Sequence, residues 1–382
     1  MLKLCSSTGL LTALLLSLPV FAGVEEQRLP TAQQAMPQVV NRYNAIVTDL
    51  ANKYARQRDE LNVTQMVAHE GLRLWQQAVR DVSSGHYDDR SLYWSRLQMQ
   101  TVLQQQRPAF AIARWQQDIL QKAVEKTSRG FSDIHYGDDA QIKILLTGFD
   151  PFFLDRHIEQ SNPSGLAALA LDGYRFTANG KQVQIETVMI PVRFADFDAG
   201  IIEALLTPVY RDHQVDMVVT VSMGRSDFDL ERFPGRNRSA NAPDNRNVIT
   251  GADKHHPQAP KLDGKPLNGP EFVEFSLPVH AIAQVDGKWK IHDNRKVTTQ
   301  QRGSIAPQRL AELASSTSVE GSGGGYLSNE IAYRAILLQQ QLGSPIATGH
   351  IHTPRVSGYD ETTEQQILTQ LKAMLAAAAS GL

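Results

Sequence analysis

The residue most open to chemistry in this chain follows a run of three glycines, in Gly323-Gly324-Gly325-Tyr326-Leu327-Ser328-Asn329. Three glycines permit positive φ and close backbone approach, and Ile331, Ala335 and Leu338 then recur at helical spacing, so the run reads as a loop entering a helix. Ser328 falls at or near that helix N-terminus, where unpaired N–H groups and the positive end of the helix dipole stabilise an oxyanion. Two readings stand for such a serine: a nucleophile beside an oxyanion site, or a helix cap. Other reactive types are scattered. His69-Glu70 begins a zincin pattern, but Arg73 occupies the place of the second histidine, so no metal is expected there. His255-His256 lies in a polar loop. His350 and His352 alternate as strand neighbours do, and Glu231 stands beside Arg232 as a surface ion pair would.

The chain that must position these groups has 382 residues, 42% of them hydrophobic and 20% charged, which is globular and long enough for two domains. A net charge of −2 supplies no basic field, so no nucleic-acid partner is expected. Met1-Leu2-Lys3, an apolar run from Gly9 to Leu18 and Pro19-Val20-Phe21-Ala22 before Gly23 have the parts of a secretory signal peptide, too short for a membrane span. Cys5, the sole cysteine, lies inside it. A periplasmic or secreted protein is therefore expected, with no disulfide, no membrane association after cleavage and a nucleophile other than a thiol.

From Thr31 to about Gly130 the apolar residues keep a helical period: Met36, Val40, Tyr43, Ile46, Val47, Leu50 and Tyr54, then Met66, Leu72, Trp75, Val79 and Val82, then Leu92 through Trp115 to Val124 with a break at Pro108. The tryptophans and methionines are expected in the core. At Ile142 the period changes. Ile142–Thr147, Val183–Val192, Met217–Ser222 and Ile346–Ile351 read as strands, with Ala195–Tyr210 as one helix between them and Glu361–Ala378 as another at the end. Val285–Ile291, with a central Asp-Gly, reads as a hairpin. Strands alternating with helices give an α/β domain whose sites form at the carboxyl ends of the strands.

Gly148-Phe149-Asp150-Pro151-Phe152, Asn162-Pro163-Ser164, Glu231-Arg232 with Pro243-Asp244-Asn245, Ser276-Leu277-Pro278-Val279, Gly325-Tyr326-Leu327-Ser328-Asn329 and Ile351-His352-Thr353-Pro354 follow one another in an order that resembles pyroglutamyl peptidase I. The resemblance covers about residues 141 to 378. It implies an α/β sandwich and removal of N-terminal pyroglutamate by a Cys-His-Glu set. Carried over, Glu231 matches the catalytic Glu, His352 the catalytic His and Ser328 the catalytic Cys, with Asn329 and Tyr333 keeping the surrounding pattern. Phe149 and Phe152 resemble the aromatic walls of the pyroglutamate pocket. Asn241 stands where the family carries an Arg near the oxyanion, and Thr220–Arg225 stands where the family carries a loop whose Gln recognises the lactam.

The expected fold is thus α/β, a three-layer sandwich around a largely parallel sheet preceded by an all-α module. Residues 1–22 are the signal peptide, 23–138 the helical extension and 139–382 the peptidase-like domain, and a fragment starting near Asp139 is expected to fold alone. The expected function is hydrolysis of a blocked peptide or small amide, with Ser328 attacking, His352 as base, Glu231 orienting it, and Phe149, Phe152 and Asn241 at the substrate. No cofactor or metal is required, and a homo-oligomer is left open. The rival is an inactive relative that binds pyroglutamyl or related peptides.

Overall fold

The computed structural model describes residues 23–382, so the signal segment and Cys5 lie outside the described residues. Its helices are α1 (Leu29–Ala35), α2 (Pro37–Val40), α3 (Asn44–Arg56), α4 (Glu60–Ser83), α5 (Arg90–Gln105), α6 (Arg114–Thr127), α7 (Pro163–Leu171), α8 (Phe194–Asp198), α9 (Ile201–Arg211), α10 (Val279–Ala283), α11 (Leu327–Gln341) and α12 (Glu361–Ser380). The strands are β1 (Ile142–Phe149), β2 (Tyr174–Ala178), β3 (Lys181–Ile190), β4 (Met217–Met223), β5 (Phe228–Glu231), β6 (Lys261–Leu262), β7 (Lys265–Pro266), β8 (Ile291–Asn294), β9 (Val297–Thr299), β10 (Gly303–Ile305), β11 (Ser318–Glu320) and β12 (Ala347–Thr353). No helix among the described residues is long and apolar enough to cross a membrane.

Seven strands form one sheet in the order β2-β3-β1-β4-β12-β5-β8. β3, β1, β4 and β12 run parallel, β2 is an antiparallel edge, and β5 and β8, parallel to each other, run against β12. Alternation along β1 sends Ile142, Ile144 and Leu146 to one face and Leu145 and Phe149 to the other, and each set enters a separate core. α9 and α11 cover the second face and α7 and α12 the first, giving the three layers expected. The carboxyl ends of β1, β4 and β12 lie side by side.

The helical region is packed into the first core. One apolar cluster runs from Tyr54, Trp75 and Leu103 through Ile144 and Val219 to Leu371 and Met374. Trp75 is fully buried and donates its indole N–H to Asp172 after α7. Pro108 falls in the break between α5 and α6, as its missing N–H requires.

Three local expectations change. Ala195–Tyr210 is two helices, because Gly200 takes φ +79 between α8 and α9. Residues 285–290 make no hairpin; Trp289 exchanges two backbone hydrogen bonds with the Gln370 side chain, which fastens the segment to α12 and leaves Ile291 free to pair with β5. Trp115 is 62% exposed instead of in the core, since α6 turns Leu120 and Val124 inward.

Candidate active site

His352 enters from β12, where it lies opposite Ser222 of β4 on one side and Asp229 of β5 on the other. Glu231 ends β5, and the antiparallel pairing of Ile351 with Leu230 brings it alongside His352. Their side chains meet: His352 Nδ1 is 2.5 Å from Glu231 Oε1, with Glu231 fully buried and His352 nearly so. A carboxylate only accepts, so Nδ1 carries the proton and Nε2 is left as the basic nitrogen. Burial pushes the Glu231 carboxyl above its ordinary value, against the opposing pull of His352. The other carboxyl oxygen, Oε2, accepts from Asn294 Nδ2 at 2.8 Å. Gly224 lets the chain after β4 pass close by, since a Cβ there would lie 2.6 Å from His352 Cβ.

Ser328 lies in the first turn of α11, whose cap position is taken by Tyr326. The first helical bond of α11 is Glu330 N–H to Tyr326 O, so the N–H groups of Leu327, Ser328 and Asn329 have no acceptor within the helix. Ser328 Oγ donates to Gly323 O at 3.3 Å, long for a hydroxyl, and no hydrogen bond joins it to His352 among the described residues. The glycine loop is held from two sides. Asn329 binds both backbone groups of Gly235, and Asn294 donates to Ser322 O at 2.9 Å with the same amide that reaches Glu231. Gly324 takes φ +90, which requires its glycine.

Beside Ser328 is a small cavity of about 40 Å³, lined by Phe149, Phe152, Val192, Ser222, Tyr326 and Ser328 among others. Phe149 is buried against Phe197, 6.3 Å between ring centroids, and Phe152 is half-buried. Asn241, by contrast, is exposed in the loop after Ala240 and does not line this cavity. A larger cavity, about 670 Å³, lies between α5, α6, α8 and α9 and contains none of Glu231, Ser328 or His352.

Several residues beyond the sequence reading belong to this region. Asn294 couples Glu231 to the glycine loop; nothing in the local sequence marks it, because the link arises only when β8 joins the sheet beside β5. Phe153 takes φ +60, an uncommon conformation for a phenylalanine, and packs between Phe152 and Tyr326. The consecutive Phe152-Phe153 pair was the available signal. His350, read as a strand residue, is fully buried with Thr220 Oγ1 at 2.7 Å from Nδ1 and Ser222 Oγ at 2.7 Å from Nε2. Burial, then the neighbouring His352, holds its pKa well below the ordinary value, so the ring is neutral. His255 and His256 stay on an exposed turn with Asp253, and Glu70 beside His69 is paired with Lys53 and Arg73.

Comparison with known proteins gives the following matches. The family model described as the PA0049 C-terminal domain matches residues 143–275 and 288–357, and that of the PA0049 N-terminal domain matches 14–125. A Pseudomonas aeruginosa protein, uncharacterized protein PA0049, is 29% identical over 388 residues, spanning 77% of this chain and 70% of that one. Among solved structures, a mutant pyrrolidone carboxyl peptidase from Pyrococcus furiosus is 22% identical, with a TM-score of 0.44 over 63% of this chain and 100% of its own. A further structure of that enzyme, reported with its Cys-free mutant, is 21% identical with a TM-score of 0.42 over 62% and 98%.

Proposed function

The chain belongs to the PA0049 family, and from that premise we propose that it is a serine-dependent hydrolase that removes pyroglutamate or a related blocked residue from the amino end of a peptide. The observation that carries this reading is the 2.5 Å contact between His352 Nδ1 and Glu231, tied through Asn294 to the loop that leads into Ser328. In this reading the Ser328 hydroxyl turns from Gly323 O toward His352 Nε2 and gives up its proton there as Oγ attacks the carbonyl carbon. The oxyanion settles against the free N–H groups at the start of α11. His352 then returns the proton to the leaving amine; water, deprotonated by His352, attacks the acyl carbon, and Ser328 Oγ leaves as His352 gives that proton back to it. Phe149 and Phe152 form the walls for the blocked residue. The same proposal includes export, with a mature end near Gly23 that N-terminal sequencing would identify.

The test is incubation of the full chain with a fluorogenic pyroglutamyl amide and a panel of other N-blocked amides, beside Ser328→Ala. Release that depends on Ser328 supports the reading. Release unchanged in the variant removes it.

One observation favours a second reading, a binding protein without turnover. The Ser328 hydroxyl points at Gly323 O and not at the imidazole. That reading predicts saturable binding of a pyroglutamyl peptide with no cleavage of any amide in the panel.

A further inference from the structure

The larger cavity, of about 670 Å³, opens where α5 and α6 of the helical region face α8 and α9, away from the groups given chemistry above. That size suits a small ligand, and clefts between packed modules are where small ligands bind. Phe131, Pro191, Ile201 and Leu205 give the wall an apolar part, and around it stand two lysines, three arginines and four carboxyl side chains. Four buried polar atoms of this wall have no hydrogen-bond partner among the described residues: Gln100 Oε1, Gln104 Oε1, Asp196 Oδ2 and Arg129 Nη2. Such atoms are scarce in native proteins, so their gathering around one cavity points to a ligand.

The remaining atoms of these side chains are committed, which fixes what the free ones can do. Gln100 Nε2 donates to Gln121 O at 2.9 Å and to Glu125 Oε1 at 3.3 Å, so its Oε1 is left as an acceptor. Arg129 donates from Nε to Glu125 at 2.9 Å and from Nη1 to Asp150 at 2.7 Å, and its Nη2 keeps both hydrogens. Glu125 is taken up, because both terminal nitrogens of Arg193 also donate to it at 3.1 Å. Asp196 Oδ2 has Arg193 Nη1 only at 3.9 Å, beyond hydrogen-bond range, and its side chain is 30% exposed, within reach of a ligand. The wall thus offers free acceptors, one of them a carboxylate oxygen, together with one free cationic donor.

We propose that this cavity is a binding site for a short peptide with both ends free, its carboxylate against Arg129, its ammonium against Asp196 and Gln100, and a side chain on the apolar wall. A polyanion would meet the four carboxyl side chains and a polyamine the five cations, whereas a zwitterion satisfies both signs. The inference does not rest on the proposed function, since the cavity contains none of Glu231, Ser328 and His352.

The test is an NMR titration of the full chain with the dipeptide alanyl-leucine, its N-acetyl form, its carboxyl amide, and glucuronate, which pairs a carboxylate with hydroxyl donors in place of an ammonium. The dipeptide is expected to saturate the protein with a Kd at or below about 1 mM. Each blocked form should bind at least about tenfold more weakly, because it leaves one charged wall group unpaired. Asp196→Asn should weaken the dipeptide about tenfold and leave the N-acetyl form within about twofold, a coupling that general loss of packing does not mimic. Ser328→Ala should change none of these values, which separates this cavity from the one beside Ser328. No saturation by the dipeptide, equal binding of the free and blocked forms, glucuronate binding as tightly as the dipeptide, indifference to Asp196→Asn, or loss of binding in Ser328→Ala would each overturn the proposal.

Discussion

The guanidinium of Arg96, in α5, lies 2.9 Å from the carboxylate of Asp150, which opens the loop that follows Phe149 and carries Phe152. Arg129 donates to the other oxygen of the same carboxylate at 2.7 Å, and all three side chains are almost completely buried. Arg28 adds a bond to Asn245 O, and Asn245 in turn holds Pro151 O. The helical region therefore fixes the loop that forms one wall of the candidate site. A fragment starting near Asp139 would strip both arginines from a buried Asp150 and uncover the apolar face that receives Trp75 and Leu103. Such a fragment is expected to aggregate or to lack a cooperative transition, contrary to the sequence expectation.

Within the full chain, Arg96→Ala should cost about 3–5 kcal/mol, the range for breaking a buried ion pair from one side. Denaturant unfolding measures it. A loss well under 1 kcal/mol would mean that Arg129 alone satisfies Asp150.

Asn294 offers a finer probe. Asn294→Ala leaves Glu231 Oε2 buried without a donor and frees Ser322 O from the same amide. A stability loss of about 1–3 kcal/mol is expected from the unpaired acceptor. On the hydrolase reading kcat falls by roughly ten- to a hundredfold with KM little changed, since Asn294 is not among the residues lining the substrate cavity. Asn294→Asp should be worse, because it sets a carboxylate against a carboxylate.

The sheet was legible because β1 and β4 are largely apolar runs, β3 carries Val183, Ile185, Val188, Met189 and Ile190, and helical patterns separate the strands, which implies parallel pairing. Ser328 at the start of α11 followed from the glycines before it and the helical period after it. Asn294 and the Thr220–His350–Ser222 chain were not legible. They depend on which strands become neighbours, and no local pattern carries that: β8 joins the far edge of the sheet, and His350 meets Ser222 only across the β12–β4 pairing. The shared core of helices and sheet was hidden for the same reason. An amphipathic stripe on α4 shows that a face is buried but not against what.

Glu364 predicts a pH dependence of stability. It is buried in α12, its Oε1 bound by the Ser161 hydroxyl and its Oε2 without a partner, and burial pushes its pKa from the ordinary 4.5 up to about 8. Asp88 and Asp360 nearby push the same way, and Arg90 opposes them. The native state therefore holds a proton that the unfolded chain releases between pH 4.5 and about 8, so this contribution is complete at the acid end and is lost as pH rises through that window. Glu364→Gln keeps a neutral group facing Ser161 and should remove the dependence. Compared with the natural chain, the variant should gain on the order of a few kcal/mol on going from about pH 5 to above about pH 8. Parallel unfolding curves at the two pH values would count against a protonated Glu364.

The last prediction concerns Ser328 and its rival roles. If Ser328 is the nucleophile, Ser328→Ala lowers kcat by several orders of magnitude while affinity for a pyroglutamyl amide stays within a few fold, because the hydroxyl acts mainly in the transition state. His352→Ala costs about as much, and the double variant little more than either, since groups that act as a unit fail as a unit. Glu231→Gln should lower kcat by roughly a thousandfold or more, because an amide presenting N–H to His352 Nδ1 favours the wrong tautomer. Ser328→Cys separates hydrolase from binder. A larger and more readily ionised sulfur bridges the gap to His352 more easily than the hydroxyl now bonded to Gly323 O. On the binding reading, cleavage of a pyroglutamyl amide appears only in Ser328→Cys, is blocked by thiol alkylation and vanishes when His352→Ala is added. On the hydrolase reading the natural chain already cleaves, and alkylation leaves that cleavage untouched. Turnover by the natural chain that persists in Ser328→Ala would remove Ser328 from the chemistry altogether.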